Sequence, residues 1–569
     1  MAEQDKKIAV GDQGGIELAP RYYLSNFQHL CTAVANQYDD ILTSLEKSFL
    51  VDFACLTEPA RCLYVRLISR RGPWFRDNRL AYAEIGALSD PIDELLAKGF
   101  LQQAQELCVE EIGKLYTREE LQAFYGAELP VAAKPASKAA LRDAIVELNW
   151  SDEQHLERVS LVSNDRVIAP LGADIVALLQ LLFFGNRRQS LTDFVLSDLG
   201  LARYFPYSLE RSLRLFPSRD TIEDYQLCGE LADTYWLYQE LDSSERDPTF
   251  VVELGEVLCG MTFVHEASRK RWFRLCNRVA RDLERQEHSA LARRLYGCSE
   301  LHPARERALR VLEQMEQWEE AQLLIEAIKT SPWCEAERDA LRRMEPRLRR
   351  KMGESVSRRP RETFAEVRLS VPRVSTSVEN AVAQELSVQW CEVHYVENTL
   401  MCGLFGLAFW EQIFAPVPGA FNNAFQSVPA DMYEQDFLRR RQTLLEQRLQ
   451  ELEQQPLTQV LDEAYTTYQG YQNRWVSWRY LSRELVASAA ACIPPLHLLS
   501  IWQRMLFDPG ENRRGFPDLI AFGDDPGDYL MLEVKGPGDA LQESQKRWLR
   551  HFQNEDIPAQ VGWVDWVDA

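Results

Sequence analysis

The chain lacks the closely spaced cysteines and histidines from which zinc sites and disulfide frameworks are built. Its twelve cysteines are scattered, with Cys55 and Cys62 the closest two, and its eight histidines are equally dispersed. Zinc fingers need ligands at short regular spacings, and disulfide frameworks belong to small secreted domains. We therefore expect reduced thiols, most of them buried, and neither a zinc finger nor a disulfide framework.

Long apolar runs are missing as well, and we expect no secretory leader. The most apolar stretch, residues 400–414, is interrupted by Glu411 and by glycines, whereas a membrane-spanning helix needs roughly 18 apolar residues. The first seven residues are polar and charged, and no apolar segment follows them, which is unlike a signal peptide. We expect the protein to stay in a cytoplasmic compartment.

Positive charge is outnumbered, since 64 Lys and Arg stand against 86 Asp and Glu and the net charge is −22. A uniformly acidic surface repels phosphates, which counts against a simple nucleic-acid coat protein. Basic residues are nevertheless concentrated at 69–79, 269–281 and 338–361, the last with ten Lys or Arg against three acidic residues. Each of these basic clusters alone is typical of a solvated helix face. Together they are compatible with a basic track on an acidic body.

The length of 569 residues exceeds what one hydrophobic core supports, and the patterns predict several domains. Apolar spacings of three and four predict an N-terminal helical domain over 1–106 and an almost wholly helical domain over 151–352. In the second of these, similar helical segments begin at 288 and 318, an alternation typical of a TPR-like repeat. The usual glycine and tyrosine signature positions are not filled, so a plain helical bundle stays open. A Ser/Arg/Pro-rich stretch near residue 353 marks the start of the last domain, 353–569.

Residues 107–150 make up the remaining part. Two apolar helical segments flank an Ala/Lys/Pro linker there, so we predict two short helices around a loop. This layout resembles a SAP-type DNA-binding hairpin, although unrelated helix pairs look similar. Further on, helices are predicted over 397–414 and 434–455, and only the final segment reads as α/β. The predicted fold class is therefore a mainly α multidomain protein with a C-terminal α/β core.

A two-stranded motif near the C-terminus carries the chemistry. Pro517 and Asp518 lead into the apolar strand LIAF, the turn GDDPGD reverses the chain, and the strand YLMLEVK ends on Glu533 and Lys535. Antiparallel pairing of these strands brings Asp518 close to Glu533. The two-residue period of a strand puts Glu533 and Lys535 on one face.

Two carboxylates beside a lysine suit phosphodiester hydrolysis. Mg²⁺ and Mn²⁺ prefer carboxylate oxygens, can take the backbone carbonyl of Val534 as a further ligand, and lower the pKa of an attacking water. Lys535 can orient that water or neutralise the developing charge. "PD" and "ExK" are each common, but their ordered combination with a following helix that carries Gln545 is much less so. We therefore predict a metal-dependent nuclease of the PD-(D/E)xK, restriction-endonuclease-like kind.

Longer stretches resemble a known family. Residues 533–549, EVKGPGDALQESQKRWL, resemble the VRR-NUC branch of these nucleases. Upstream, VENTLMCGLFGLAFWEQIF, NNAFQSVPADMYEQDFLRRR and WVSWRYL resemble, in the same order, pieces of the Fanconi-associated nuclease family, in a bacterial-type form. The resemblance implies that Glu397 completes the metal site and that Gln545 supports the site or contacts DNA. It also implies 5′ flap endonuclease and 5′-3′ exonuclease activity in the repair of DNA interstrand crosslinks.

The sequence departs from the vertebrate pattern of this family at two points. The first 50 residues hold only Cys31 and His29 as zinc-ligand types, so we expect no ubiquitin-binding zinc finger. Gly510 stands where an arginine contributes to a pocket for a 5′ phosphate. Arg513 and Arg514 lie nearby and, with Arg70 and Arg71, are the residues that we expect to contact DNA.

Two other functions stay open at this point. A stand-alone VRR-NUC domain resembles a Holliday-junction resolvase, which acts as a symmetric dimer. The chain is alternatively a DNA-binding adaptor whose nuclease site is vestigial, although every expected acidic and lysine position is filled. For the flap nuclease we expect branched DNA, namely 5′ flaps and forks, as the partner, with the protein at the nucleoid in a bacterium or in the nucleus of a eukaryote.

Overall fold

The structure is a computed structural model that describes residues 21–70, 72–129, 137–189, 191, 202–357, 362–372 and 377–567. The chain forms two compact units, 1–202 and 203–569. The four-domain division expected from the sequence is finer than this and stays a prediction.

The described part of the first unit is mostly helical and contains a small sheet. Three short strands pair antiparallel in the order β1-β3-β2. The sequence predicted helices almost throughout 22–100 and 151–348, and the sheet corrects that prediction. Strands of two to four residues are too short to show an alternating pattern. The elements are α1 Tyr22–Tyr38, α2 Ser44–Cys55, α3 Glu58–Ile68, β1 Phe75–Arg76, α4 Ser89–Ala97, β2 Leu101–Gln103, α5 Val109–Leu115, α6 Arg118–Tyr125, α7 Lys138–Val146, α8 Asp152–Val162, β3 Val167–Pro170 and α9 Ala173–Phe184.

The expected helix pair of residues 107–150 is a set of three helices in the described residues. The first predicted helix is divided into α5 and α6, because Thr117 begins a new helix. Its hydroxyl accepts a hydrogen bond from the Glu120 amide, and the Glu120 carboxylate accepts one from the Thr117 amide. This reciprocal capping box stabilises a helix start, so the chain turns there.

The second unit begins with β4 and a layer of long helices. Helices α12 to α16 each pack against the next one, and α12, α14 and α16 lie side by side. The helices predicted near 288 and 318 are confirmed as α13 and α15. The elements are β4 Arg203–Tyr204, α10 Arg219–Glu240, α11 Phe250–Gly260, α12 Glu266–Arg285, α13 Ser289–Gly297, α14 Ala304–Gln314, α15 Trp318–Thr330 and α16 Glu335–Lys351.

The remainder of the second unit is an α/β structure around a five-stranded sheet of order β5-β10-β9-β8-β6. Strand β10 is parallel to β5 and β9, and β8 is antiparallel to β9 and β6. The elements are β5 Glu366–Pro372, α17 Val378–Leu386, β6 Glu392–Tyr395, α18 Thr399–Ala408, α19 Trp410–Ile413, α20 Phe437–Arg440, α21 Gln442–Gln454, α22 Leu457–Tyr468, β7 Tyr471–Gln472, α23 Arg483–Cys492, α24 Pro495–Phe507, β8 Leu519–Phe522, β9 Tyr529–Lys535, α25 Glu543–Asn554 and β10 Ala559–Val567.

Each face of this sheet is buried by a different set of helices. Leu532 and Val534 of β9 pack in one apolar cluster with residues of α17. Met531 belongs to the other cluster, together with Trp548 of α25. Since side chains alternate along a strand, Glu533 and Lys535 face the α25 side with Met531. The sheet therefore presents both functional side chains to one helix.

Several element boundaries differ from the prediction. The helix expected over 397–414 begins at Thr399 and is divided into α18 and α19, and the one expected over 434–455 is divided into α20 and α21. All twelve cysteines lie in the described residues and are free, but only three are buried, so the expectation that most are buried was wrong. No single described helix is long and apolar enough to cross a membrane, and only α23 with α24, bent by 110°, passes that test as a pair.

Candidate active site

The hairpin of β8 and β9 brings Asp518 and Glu533 together as predicted. Leu519 lies opposite Leu532 in the antiparallel register, so Asp518 stands across from Glu533. The Asp518 carboxylate accepts a hydrogen bond of 2.9 Å from the amide of Val534. This contact fixes the Asp518 side chain against the end of β9.

Glu533 is the most deeply buried carboxylate of the site, with 1% of its surface exposed. Its Oε1 accepts hydrogen bonds from the Lys535 ammonium at 2.9 Å and from the Gln545 amide at 2.6 Å. Its Oε2 is buried and has no hydrogen-bond partner in the part of the chain that the structure describes. Such an unpaired buried oxygen is costly unless a cation or a donor approaches it.

The same burial changes the pKa values of both acids. Burial raises the pKa of Glu533 to about 7, and the charge of Asp518 adds to this increase while Lys535 opposes it. Burial also raises the pKa of Asp518, against the Val534 amide and Lys535. Burial together with the neighbouring carboxylates thus outweighs the effect of Lys535 on both pKa values, so the two carboxylates are costly to keep ionised without a further cation.

Gln545 reaches Glu533 because α25 begins close to the loop that precedes Asp518. Gly515 in that loop has a φ of +87°, and an added Cβ would lie 2.6 Å from the backbone carbon of Ser544. Only glycine meets both conditions, the positive φ and the close approach. Asp539 accepts a hydrogen bond of 2.9 Å from the Gly536 amide and so stabilises the turn between β9 and α25.

Glu397 reaches the site from a tight turn before α18. The amides of Val396 and Glu397 both donate to the Asp518 carbonyl, at 2.9 and 3.0 Å. Glu397 has a φ of +36°, a strained conformation for a side chain with a Cβ. Its carboxylate accepts hydrogen bonds from Tyr395 and Asn398, both at 3.0 Å. The sequence placed Glu397 within a helix, whereas the structure places it two residues before one.

Three residues beside these carboxylates were not predicted from the sequence. Tyr395 and Asn398 hold the Glu397 carboxylate, and Asn398 also accepts a hydrogen bond from the Phe516 amide at 3.2 Å. Glu379 lies in the first turn of α17. After burial, its charge is among the causes that raise the pKa of Asp518 and of Tyr395. No spacing in the sequence links Glu379 to a hairpin about 140 residues later.

The basic residues expected to contact DNA have different surroundings. The Arg513 guanidinium lies 4.5 Å from the Tyr433 ring centre, and Arg514 is exposed four residues before Asp518. Arg70, in the first unit, is exposed and donates to the Tyr82 hydroxyl at 3.0 Å. Arg71 lies outside the described residues.

Comparison of the chain with known proteins shows the family to which it belongs. A model described as the VRR-NUC domain matches residues 452–566, and one described as the FAN1 HTH domain matches residues 21–102. The chain is 35% identical to the Fanconi-associated nuclease 1 homolog of Pseudomonas aeruginosa over 565 residues, which cover 96% of each chain. The chain belongs to the Fanconi-associated nuclease family.

Other family members agree with this assignment. The Arabidopsis thaliana homolog is 27% identical, and the match covers 93% of this chain and 65% of that one. The crystal structure of paFAN1 bound to DNA with a 2-nucleotide 5′ flap and a gap has a TM-score of 0.79 and 34% identity, covering 98% of this chain and 100% of that one. The predictions of family, fold class and nuclease activity are thereby confirmed.

Nucleases of this family type generally use divalent metal ions, and the residues present fit such an ion. In the described residues no three His, Cys, Asp or Glu side chains are grouped as a ready-made metal cluster. The unpaired Oε2 of Glu533 and the raised pKa values of Glu533 and Asp518 nevertheless indicate a place where a cation is favourable. Two carboxylates suffice for Mg²⁺-like ions, which keep several waters.

Proposed function

We propose that this protein is a structure-selective DNA nuclease that cuts branched DNA at 5′ flaps, degrades DNA from 5′ ends and acts in the repair of interstrand crosslinks. One observation carries the proposal: Asp518, Glu533, Lys535 and Gln545 are assembled in a chain that matches paFAN1, solved with 5′ flap DNA, over almost its full length. The four-domain division and a cytoplasmic, nucleoid-associated location belong to the same proposal.

In this proposal Mg²⁺ or Mn²⁺, as one or two ions, is held by Glu397, Asp518, Glu533 and the Val534 carbonyl. When bound, such an ion would supply charge neutralisation at the scissile phosphate and would lower the pKa of the attacking water. Tyr395 donates to Glu397 and keeps that carboxylate oriented. Asp518 bonds the Val534 amide, which holds the Val534 peptide in place.

Lys535 has a separate role. Its ammonium lies 2.9 Å from Glu533 Oε1 and is only 10% exposed, so its charge acts in a poorly solvated environment. From there it orients the attacking water and stabilises the negative charge that develops on the phosphate. Gln545 orients the Glu533 carboxylate from α25. Arg70, Arg71, Arg513 and Arg514 contact the DNA backbone.

Replacing Gln545 by alanine is expected to weaken metal binding about tenfold, because residues that orient a ligand typically contribute 10- to 100-fold to metal affinity. The measurement is the cleavage rate as a function of Mg²⁺ or Mn²⁺ concentration. Gln545 also caps α25 through the Gln542 amide, so the melting temperature is measured in parallel. Lys546→Ala, which removes an exposed ion pair with Glu543 on the same helix, is the control. An unchanged metal titration in Gln545→Ala would argue against this role.

The substrate preference is tested with fluorescently labelled 5′ flaps, Holliday junctions and plain duplexes at equal concentration. We expect a single incision beside the flap and much slower cleavage of the duplex. Symmetric cuts on opposing strands of the junction, with poor flap cleavage, would favour a resolvase. Tight DNA binding without cleavage of any substrate in Mg²⁺ or Mn²⁺ would favour an adaptor with a vestigial site.

A further inference from the structure

A polar cavity of about 370 Å³ lies between α12, α14 and α16. None of its lining residues belongs to the nuclease site. Arg281, from α12, and Arg347, from α16, come from two of the three basic clusters, so the side-by-side helices bring together charges that lie far apart in the sequence. The charged and polar lining consists of Arg281, Arg307, Arg310 and Arg347 with Glu284, Glu313 and Gln314.

The cavity carries positive charge on an otherwise acidic chain. Four arginines and the adjoining Lys351 are paired with Glu284, Glu313 and the adjoining Glu306, which leaves two positive charges in excess, whereas the whole chain carries −22. An acidic protein attracts a polyanion only where cations are locally in excess. This cavity meets that condition.

The two glutamates hold the arginines in place but do not use all of their N–H donors. Glu284 accepts from Arg281 at 2.9 Å and also from Arg307. Glu313 accepts from Arg347 at 2.6 Å and from Lys351 at 2.8 Å. An arginine has five N–H donors and a carboxylate takes two at most in fork geometry, so donors remain for a further acceptor.

Arg310 is held by a single carboxylate in the same helix. One of its terminal nitrogens donates to Glu306 at 2.9 Å. Its Nε is buried and has no hydrogen-bond partner within the described ranges of the chain. A buried N–H without an acceptor is unfavourable unless a ligand supplies one.

We propose that this cavity binds a phosphate of the DNA backbone, at a point separate from the nuclease centre. Guanidinium groups match pairs of phosphate oxygens, and a phosphodiester brings the negative charge that the surplus arginines lack. The inference rests on the proposed function, since it needs DNA as the substrate. It assigns to α12, α14 and α16 a part in holding that substrate.

The test is the double variant Arg310→Gln with Arg347→Gln, measured for 5′ flap binding in EDTA over a range of salt concentrations. We expect binding to weaken about tenfold, and the slope of log affinity against log salt to fall by roughly 0.9 for each phosphate that the variant no longer neutralises. Arg310→Lys with Arg347→Lys keeps the charge but loses the fork, and is expected to keep most of the slope with weaker binding.

The matched control is Arg294→Gln with Arg349→Gln. It removes the same number of charges from arginines that also pair with carboxylates, and neither residue lines the cavity. Both double variants are checked for an unchanged helical spectrum. Equal affinity and equal slope in the cavity variant and the control variant would overturn the proposal.

A free phosphate ligand is distinguished with inorganic pyrophosphate. Stabilisation of the wild type by submillimolar pyrophosphate, lost in the cavity variant while flap binding stays unchanged, would overturn the assignment to DNA. Single-turnover cleavage at saturating flap is expected to stay at the wild-type rate in the cavity variant. If the wild type cuts no flap, the proposed function fails. The phosphate site is still supported in that case if the cavity variant binds flap DNA more weakly than the wild type and with a smaller slope of log affinity against log salt.

Discussion

Asp518→Asn is expected to slow flap cleavage by about a thousandfold or more, equivalent to about 4 kcal/mol in the activation barrier, and to leave flap affinity unchanged. The carboxylate of Asp518 is one of two that meet at the end of the β8–β9 hairpin. An asparagine oxygen can still accept from the Val534 amide at the position that Asp518 occupies, so the hairpin keeps its register. The loss is therefore in metal binding and chemistry rather than in folding. Single-turnover cleavage and binding in EDTA measure the two effects separately.

The control for this variant is Asp524→Asn. Asp524 lies in the turn at the other end of the same hairpin, where its carboxylate accepts from the Cys391 thiol at 3.1 Å. We expect wild-type cleavage from it. Wild-type cleavage by Asp518→Asn would instead mean that the catalytic centre lies elsewhere in the chain.

Removal of divalent metal is expected to abolish cleavage completely. EDTA should stop the reaction, Mg²⁺ or Mn²⁺ in excess should restore it, and Zn²⁺ should not substitute, because the donor atoms gathered at the site are oxygens. The unpaired Oε2 of Glu533 gives the physical reason, since a cation there satisfies a buried oxygen that is otherwise without a partner among the described residues. Cleavage assays after chelation and re-addition of each metal give the answer.

Metal binding can also be followed without catalysis. A bound ion stabilises the folded state by mass action, so Mn²⁺ should raise the melting temperature of the wild type. Glu533→Gln removes one charged ligand and should lose most of that increase, whereas Asp524→Asn should keep it. Full cleavage in EDTA would contradict the assignment of the site to the PD-(D/E)xK nucleases.

The core of the site could be predicted because it is local. Asp518, Glu533 and Lys535 lie within 18 residues of one another, on two strands joined by a tight turn. The period of two along a strand determines which side chains share a face, and the turn determines the register. The sequence pattern therefore predicted that these three residues lie close together, and the structure shows the same arrangement.

Other parts of the site came from a resemblance or were not predicted. Glu397 was predicted through the family resemblance alone, and its place before α18, at positive φ, is visible only in the structure. Glu379 lies on α17 and Tyr395 lies on β6. Both elements pack against the hairpin, although these two residues precede Asp518 by more than 120 residues in the sequence. Such approaches depend on how helices and strands pack over a shared apolar surface, and no local pattern records that packing.

The basic clusters also separate what the sequence determines from what only the tertiary structure determines. The sequence by itself determined where arginines and lysines are dense, but density does not say which are available to a ligand. In the cluster 269–281, Lys270 pairs with Asp436 at 2.7 Å and Arg274 pairs with Glu434 at 2.7 Å, so both are engaged in joining α12 to a later segment. The availability of a charge depends on its three-dimensional neighbours. Only the tertiary structure, by placing α12, α14 and α16 side by side, decided that some of these arginines line a common cavity.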